Sequence, residues 1–236
     1  MESARRAKGA NNVKQIALAY NQYAFDDVNG RSIPNGTLTE TKDAANNIGD
    51  WAMVLARKGY LNDPSVYCFS GDSNASKVIS KSIANSATET FDTNNNPWDG
   101  CAFSVFVATN IPPDAPLSTT PVVCTRDVIF LSMEMQSEDT SDIPQEDLNT
   151  MLSGMVLYKS GGCYIGFLDG HVEWFDDFGK DKEHGKLVHY YTRKPTNLIN
   201  ETLPAGCIFL GGTKVKYNGQ EGSMAANIPC TAEPES

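Results

Sequence analysis

Residues 4–25 read ARRAKGANNVKQIALAYNQYAF, and the fold turns on how that stretch divides. Val13, Ile16, Ala17, Tyr20, Tyr23 and Ala24 recur at spacings of three and four, the period of one buried helical face. Lys14, Asn21 and Gln22 fall on the opposite side. Upstream, Arg5, Arg6 and Lys8 come without an apolar stripe of their own, so residues 4–9 are expected to stand clear of the domain. Such a helix, half docked and half bare, reads as the root of a longer element; the alternative is the frayed first helix of an ordinary globular domain.

The chain has 236 residues and a net charge of -10. Its length allows one large domain, or a core with a smaller appended unit. Residues 1–25 hold Arg5, Arg6, Lys8 and Lys14 against Glu2 alone, which makes that stretch +3 and the remainder -13. An acidic globular part argues against nucleic-acid binding, which needs a basic face. No window of eighteen or more apolar residues is present, and no charged-then-apolar signal precedes residue 4. The six cysteines, Cys68, Cys101, Cys124, Cys163, Cys207 and Cys230, are widely spaced and form no CxxC pair, which argues against structural zinc. They are either buried thiols in strands or up to three disulfides of an oxidising compartment, and spacing does not choose among the pairings.

Turn formers at residues 26–30 and 33–36 break the chain after the first helix. Asp50 as N-cap, an apolar run over 51–58 and Gly59 predict a short helix whose Trp51, Val54 and Leu55 face the core. Residues 66–69 are a strand candidate, and 70–97 a long polar excursion with a little helix around 77–84. Strands are predicted over 102–109, 128–135, 155–158 and 163–175, with Pro112, Pro113, Pro116 and Pro121 separating the first two. Within the last, Asp169-Gly170 between two apolar segments is the strongest hairpin signal in the chain. Residues 176–185 read as a linker or exposed turn, and 187–191, 207–210 and 213–217 as further strands. The expectation is an α+β protein, a long N-terminal helix packed on an antiparallel sheet. Residues 1–175 form the principal domain, and 176–236 a β-rich extension packed on it.

Chemistry is sparse. His171, His184 and His189 are the only histidines, and no hydrolase, zincin or nucleotide-binding pattern occurs, so no catalytic residue is assigned and no enzyme is expected. Asp169, His171 and Glu173 share one face of a strand, whose other face is expected to bury Val172 and Trp174. Asp92, Asn94 and Asn96 at alternate positions, with Asp99 three further on, make a candidate Ca2+ loop, although Pro97 stands where an EF-hand needs glycine. Tyr190 and Tyr191 are candidates for a carbohydrate or protein contact.

Three stretches together resemble type II secretion pseudopilins of the pilin-like superfamily, closest to the prepilin-like group of planctomycete and lentisphaere-type bacteria. Residues 4–36 look like the segment following the family's hydrophobic N-terminal helix. Residues 96–103, with Pro97, Trp98 and Gly100, are similar to its tryptophan turn, here with Asp99 inserted. Residues 167–174, with Asp169, Gly170 and His171, look like its closing Asp-Gly hairpin. Lys159 stands where members of the group commonly have histidine, and the calcium loop of major pseudopilins has no counterpart residue by residue. The resemblance implies a non-enzymatic filament subunit of a type II secretion pseudopilus or related assembly. It also implies an apolar N-terminal helix, cleaved and methylated by a prepilin peptidase, that anchors the chain in the inner membrane with the globular part in the periplasm. The partners would be other pseudopilin subunits and secretion components, and Arg5, Arg6 and Lys8 would pair with acids on neighbouring subunits. The alternative is a surface-exposed module for glycan or protein on the same scaffold, with residues 176–236 as its ligand face.

Overall fold

The computed structural model describes residues 2–26, 32–39, 42–73, 75, 82–84, 103–131, 156–158, 161–176, 184–217 and 220–234. The first element, α1 (Glu2–Asp26), is a 25-residue helix. It contains no proline, and Glu2 in its first turn complements the helix dipole. Its buried face includes Val13, Ile16, Ala17, Tyr20, Tyr23 and Ala24, as the spacing predicts, and continues upstream through Asn12 to Gly9.

The second helix, α2 (Ile48–Arg57), begins earlier than expected because Asn47, not Asp50, is its N-cap. Asn47 Oδ1 accepts the Asp50 N–H at 2.9 Å, and the Asp50 carboxylate reaches back to accept the Asn46 N–H at 3.2 Å. Asn47 satisfies a first-turn donor that the helix end would leave orphaned, and Asp50 ties down the residue just before the cap. At the other end Gly59 adopts φ +82°. Its N–H donates to the Ala56 carbonyl at 3.0 Å and that of Tyr60 to Leu55 at 3.0 Å, the paired bonds of a Schellman cap. Trp51 is fully buried between the layers: its ring stacks on Tyr20 at 5.4 Å, and its Nε1 donates to the Ala108 carbonyl at 3.0 Å.

Among the described residues ten strands follow: β1 (Val105–Thr109), β2 (Pro121–Thr125), β3 (Cys163–Phe167), β4 (Val172–Phe175), β5 (Leu187–Val188), β6 (Pro195–Thr196), β7 (Ile208–Leu210), β8 (Gly212–Tyr217), β9 (Gln220–Ala225) and β10 (Ile228–Pro229). Six of them make one antiparallel sheet in the order β10-β7-β1-β2-β3-β4, while β5–β6 and β8–β9 pair by themselves. The last part of the chain thus supplies two strands of the main sheet, with β7 directly beside β1. Every residue of β1 and β2 is buried, as expected of strands covered on both faces. The first helix lies across β2, β3 and β4. It comes close at Gly166, where a Cβ would stand 2.9 Å from the Val13 side chain and 3.0 Å from that of Ala17. A long N-terminal helix on an antiparallel sheet, with a β-rich C-terminal part, is an α+β, pilin-like fold.

The Asp-Gly hairpin joins β3 to β4. Its loop is Leu168-Asp169-Gly170: the Gly170 N–H donates to the Phe167 carbonyl at 2.8 Å, and that of Phe167 to His171 at 3.0 Å. Gly170 takes φ +87°, the left-handed position that closes a three-residue hairpin loop.

Several expectations are corrected. Residues 64–66 form a 3-10 turn instead of entering a strand, since Pro64 opens the turn and Asp63 caps it by accepting the Ser65 N–H at 2.8 Å. Of the strand expected over 128–135, residues 128–131 belong instead to a 3-10 helix over Arg126–Leu131, and 132–135 lie outside the described residues. The strand beside β1 is instead β2, inside the proline-rich separator. Pro121 is tolerated there as the first residue of the strand, where a bulge shifts the register before Val123. Residues 156–158 carry no strand. Parts of the polar excursion are anchored: Asp72, Ile83 and Ala84 are buried, and Asn62 Oδ1 accepts the N–H groups of Ile83 and Ala84 at 2.8 and 2.7 Å. Val172 and Trp174 are half-buried, because β4 is the sheet edge.

Candidate functional site

The basic cluster at the start of α1 does not stand clear. The Arg6 guanidinium lies 3.8 Å from the Trp174 ring centroid, a cation–π contact. Lys8 Nζ donates to Ser70 Oγ at 2.5 Å. A Cβ on Gly9 would fall on the Tyr158 hydroxyl, so the helix passes here with no room to spare. The expected division between a docked half and a bare half is therefore wrong. What docks residues 5–9 is an aromatic cluster, Trp174 with Tyr158 at 5.5 Å and Tyr164 at 4.8 Å. The Arg6 guanidinium and Gly9 pack on it without leaving any apolar periodicity in the sequence.

Beneath these turns lies a buried polar group. Asp127 Oδ1 accepts the N–H groups of Leu157 at 2.6 Å and Tyr158 at 3.3 Å. Asp127 Oδ2, the Tyr158 hydroxyl and Glu2 Oε1 have no hydrogen-bond partner among the described residues. Burial pushes the Asp127 carboxyl up to about 7, against the pull of the two backbone donors and of Arg126. Burial also raises the Tyr158 phenol; Asp127 adds to the effect and Arg5 opposes it.

The sequence reading missed the nearest strong electrostatic feature. Arg126 and Asp72, both buried, pair at 2.8 Å. Arg126 Nη1 donates to the Phe103 carbonyl at 2.9 Å, Ser104 Oγ to Asp72 Oδ2 at 2.7 Å, and the Phe69 N–H to Ser104 Oγ at 2.9 Å. The network fastens Phe69 and Asp72 to the start of the sheet. Its one trace in the sequence is an arginine directly after the apolar β2 run.

At the hairpin, Asp169 Oδ1 sits 2.5 Å from His171 Nδ1 and accepts the His171 N–H at 3.0 Å. The imidazole stacks on Phe167 at 4.4 Å. Carboxylate and ring thus clamp the turn, which abuts α1: Asn21 Nδ2 donates to the Leu168 carbonyl at 2.6 Å, and Leu18 lies over Gly170. Glu173 is exposed. Among the described residues no group of three or more His, Cys, Asp or Glu is arranged to hold a metal. Tyr190 packs against the core edge and meets Tyr191 edge-on at 4.8 Å, leaving Tyr191 41% exposed. Asp92, Asn94, Asn96, Pro97, Trp98, Asp99 and Gly100, the proposed cation loop and tryptophan turn, lie outside the described residues, as do Cys101 and Lys159.

The outward side of α1 carries Ala4, Asn11, Leu18 and Phe25, all exposed and seven residues apart, with Ala7 and Lys14 beside them. Phe25 is 61% exposed and Leu18 41%. An interval of seven is close to two helical turns, so these four make one line along the helix.

Residues 2–61 match the family model SBP_bac_10, described as a protein of unknown function (DUF1559). That family is associated with prepilin-like and pseudopilin-type proteins. The matched stretch is α1, α2 and the cap that follows, about a quarter of the chain. No curated protein and no solved structure matches.

Proposed function

We propose that the chain is a non-enzymatic structural subunit of a pilin-like filament of the type II secretion pseudopilus kind, assembled through α1. The observation that carries this reading is the exposed line Ala4, Asn11, Leu18 and Phe25 on a helix whose other side is buried against its own domain from Gly9 onward. Support comes from the family match, which falls on this helical layer. In this reading the helix continues upstream into an inner-membrane anchor, the sheet faces the periplasm, and neighbouring subunits stack along the outward line. Lys8, exposed beside that line and within reach of Ser70 in the single chain, exchanges that contact for acids of the next subunit, while Arg5 is half-buried on the docked side and Arg6 is committed to Trp174.

A photo-crosslinking residue at Asn11 or Phe25 of the full-length gene product, expressed in the bacterium that carries it, tests the reading. A ladder of crosslinked multimers, or links to other prepilin-like subunits, is expected, and none should appear when the crosslinker replaces Glu173 on the sheet edge. Monomer alone at both helix positions defeats it. So does a gene whose upstream codons lack the roughly 20 apolar residues of a spanning helix. Glycan binding that depends on Tyr191 would favour the binding module instead.

A further inference from the structure

Cys207 and Cys230 stand opposite each other at the end of the β7–β10 ladder. The register Phe209↔Ile228, Ile208↔Pro229 continues one step further, with the Cys230 N–H donating to the Cys207 carbonyl at 2.9 Å. Residues paired directly across antiparallel strands put their side chains on one face, with Cα atoms about 4.5–5.5 Å apart. That lies inside the roughly 4.4–6.8 Å that a disulfide spans. Both side chains are buried and both are thiols in the structure. The Cys207 thiol donates to the Asn110 carbonyl at 3.2 Å.

We propose that Cys207 and Cys230 form a disulfide, closed by a thiol–disulfide oxidant before β10 is seated, and that the bond fastens the C-terminal strand to β7. The timing follows from the folded site. Burial pushes the Cys207 thiol up to about 11 and holds that of Cys230 well above the ordinary thiol value, with the Cys207 and Cys124 thiols adding to the effect on Cys230. A buried thiol held in its protonated form is a poor nucleophile. In the open chain, one cysteine thiolate attacks a sulfur of the oxidant's disulfide and releases one oxidant thiol. The second cysteine then attacks the mixed disulfide, forming the Sγ–Sγ bond and releasing the other. Two protons leave the cysteines and two electrons pass to the oxidant.

The consequence is mechanical. The bond closes a loop that contains the β8–β9 hairpin, and it pins a two-residue strand at the sheet edge whose own ladder is short. This does not depend on the filament reading.

The 236-residue chain is refolded from denaturant in a glutathione redox buffer, and separately secreted into an oxidising bacterial periplasm. Each sample is alkylated in denaturant and digested without reduction. Peptide mapping is expected to find Cys207 joined to Cys230, two hydrogens lighter than the separate peptides, with Cys68, Cys124 and Cys163 alkylated. Dithiothreitol should lower the Tm of the native chain by several degrees and leave that of the Cys207→Ala, Cys230→Ala double variant unchanged. Full alkylation of both cysteines in the two preparations overturns the proposal, as does a link from either one to any other cysteine.

Discussion

Burial and hydrogen bonding pull Asp127 in opposite directions, and burial wins. Its folded-state pKa of about 7 lies above the ordinary 3.8, so the folded chain holds this proton more tightly than the unfolded chain does. The stabilisation is fully present below about pH 4 and is lost as the pH rises towards 7. In Asp127→Asn the side-chain oxygen can still accept from Leu157 and Tyr158, but nothing titrates. Denaturant titrations at about pH 4.5 and pH 7.5 should show the native chain losing on the order of 3 kcal/mol more than the variant between the two conditions. An equal pH response in both would refute the assignment. The Arg126–Asp72 pair is governed by a different balance, because removing one partner strands the other charge in the core. Asp72→Asn is expected to cost about 3–5 kcal/mol in a denaturant melt, whereas an apolar replacement of both residues should recover most of that loss.

At the scale of elements, the contact between α1 and the sheet depends on Gly166, which has no side chain to hold the helix away. Gly166→Ala places a methyl against Val13, Ala17 and Val123 and is expected to lower stability by about 1–3 kcal/mol in chemical denaturation, although alanine is otherwise the better strand residue. Asn47→Ala removes the cap of α2 and should cost about 1 kcal/mol by the same measurement, more than Asp50→Ala if Asn47 is the principal cap. The buried face of α1, the end of α2 at Gly59 and the Asp169-Gly170 hairpin were legible because each is written in local spacing or turn chemistry. The second strand was not, since Pro121 at its head reads as a breaker until it is seen to start the strand. Nor was the 3-10 helix over Arg126–Leu131, whose β-branched run reads as strand. Of the candidate site, the cations at Arg5, Arg6 and Lys8 could be found from charge alone. Their disposition could not, because the ring that Arg6 covers belongs to Trp174, far along the chain, and no periodicity records a cation–π contact.

At the scale of the molecule, β7 and β10 cover the edge of β1. A chain ending before Cys207 would expose the backbone donors and acceptors of a fully buried strand. Such a truncation is expected to aggregate and elute in the void volume in size-exclusion chromatography, while a chain lacking only residues 233–236 should elute as the full chain does. The same pairing also fixes an order of events in time. The β1 strand, once it leaves the ribosome, must wait for one made about a hundred residues later, and Thr109 Oγ1 finds its acceptor on Ile208, at 3.1 Å. Contacts so distant along the chain carry a large loop-closure cost and form slowly. Until they form, a newly made chain presents an open, apolar sheet edge, so a holding chaperone or export of the still-unfolded chain would shield it during the interval in which it is most prone to stick.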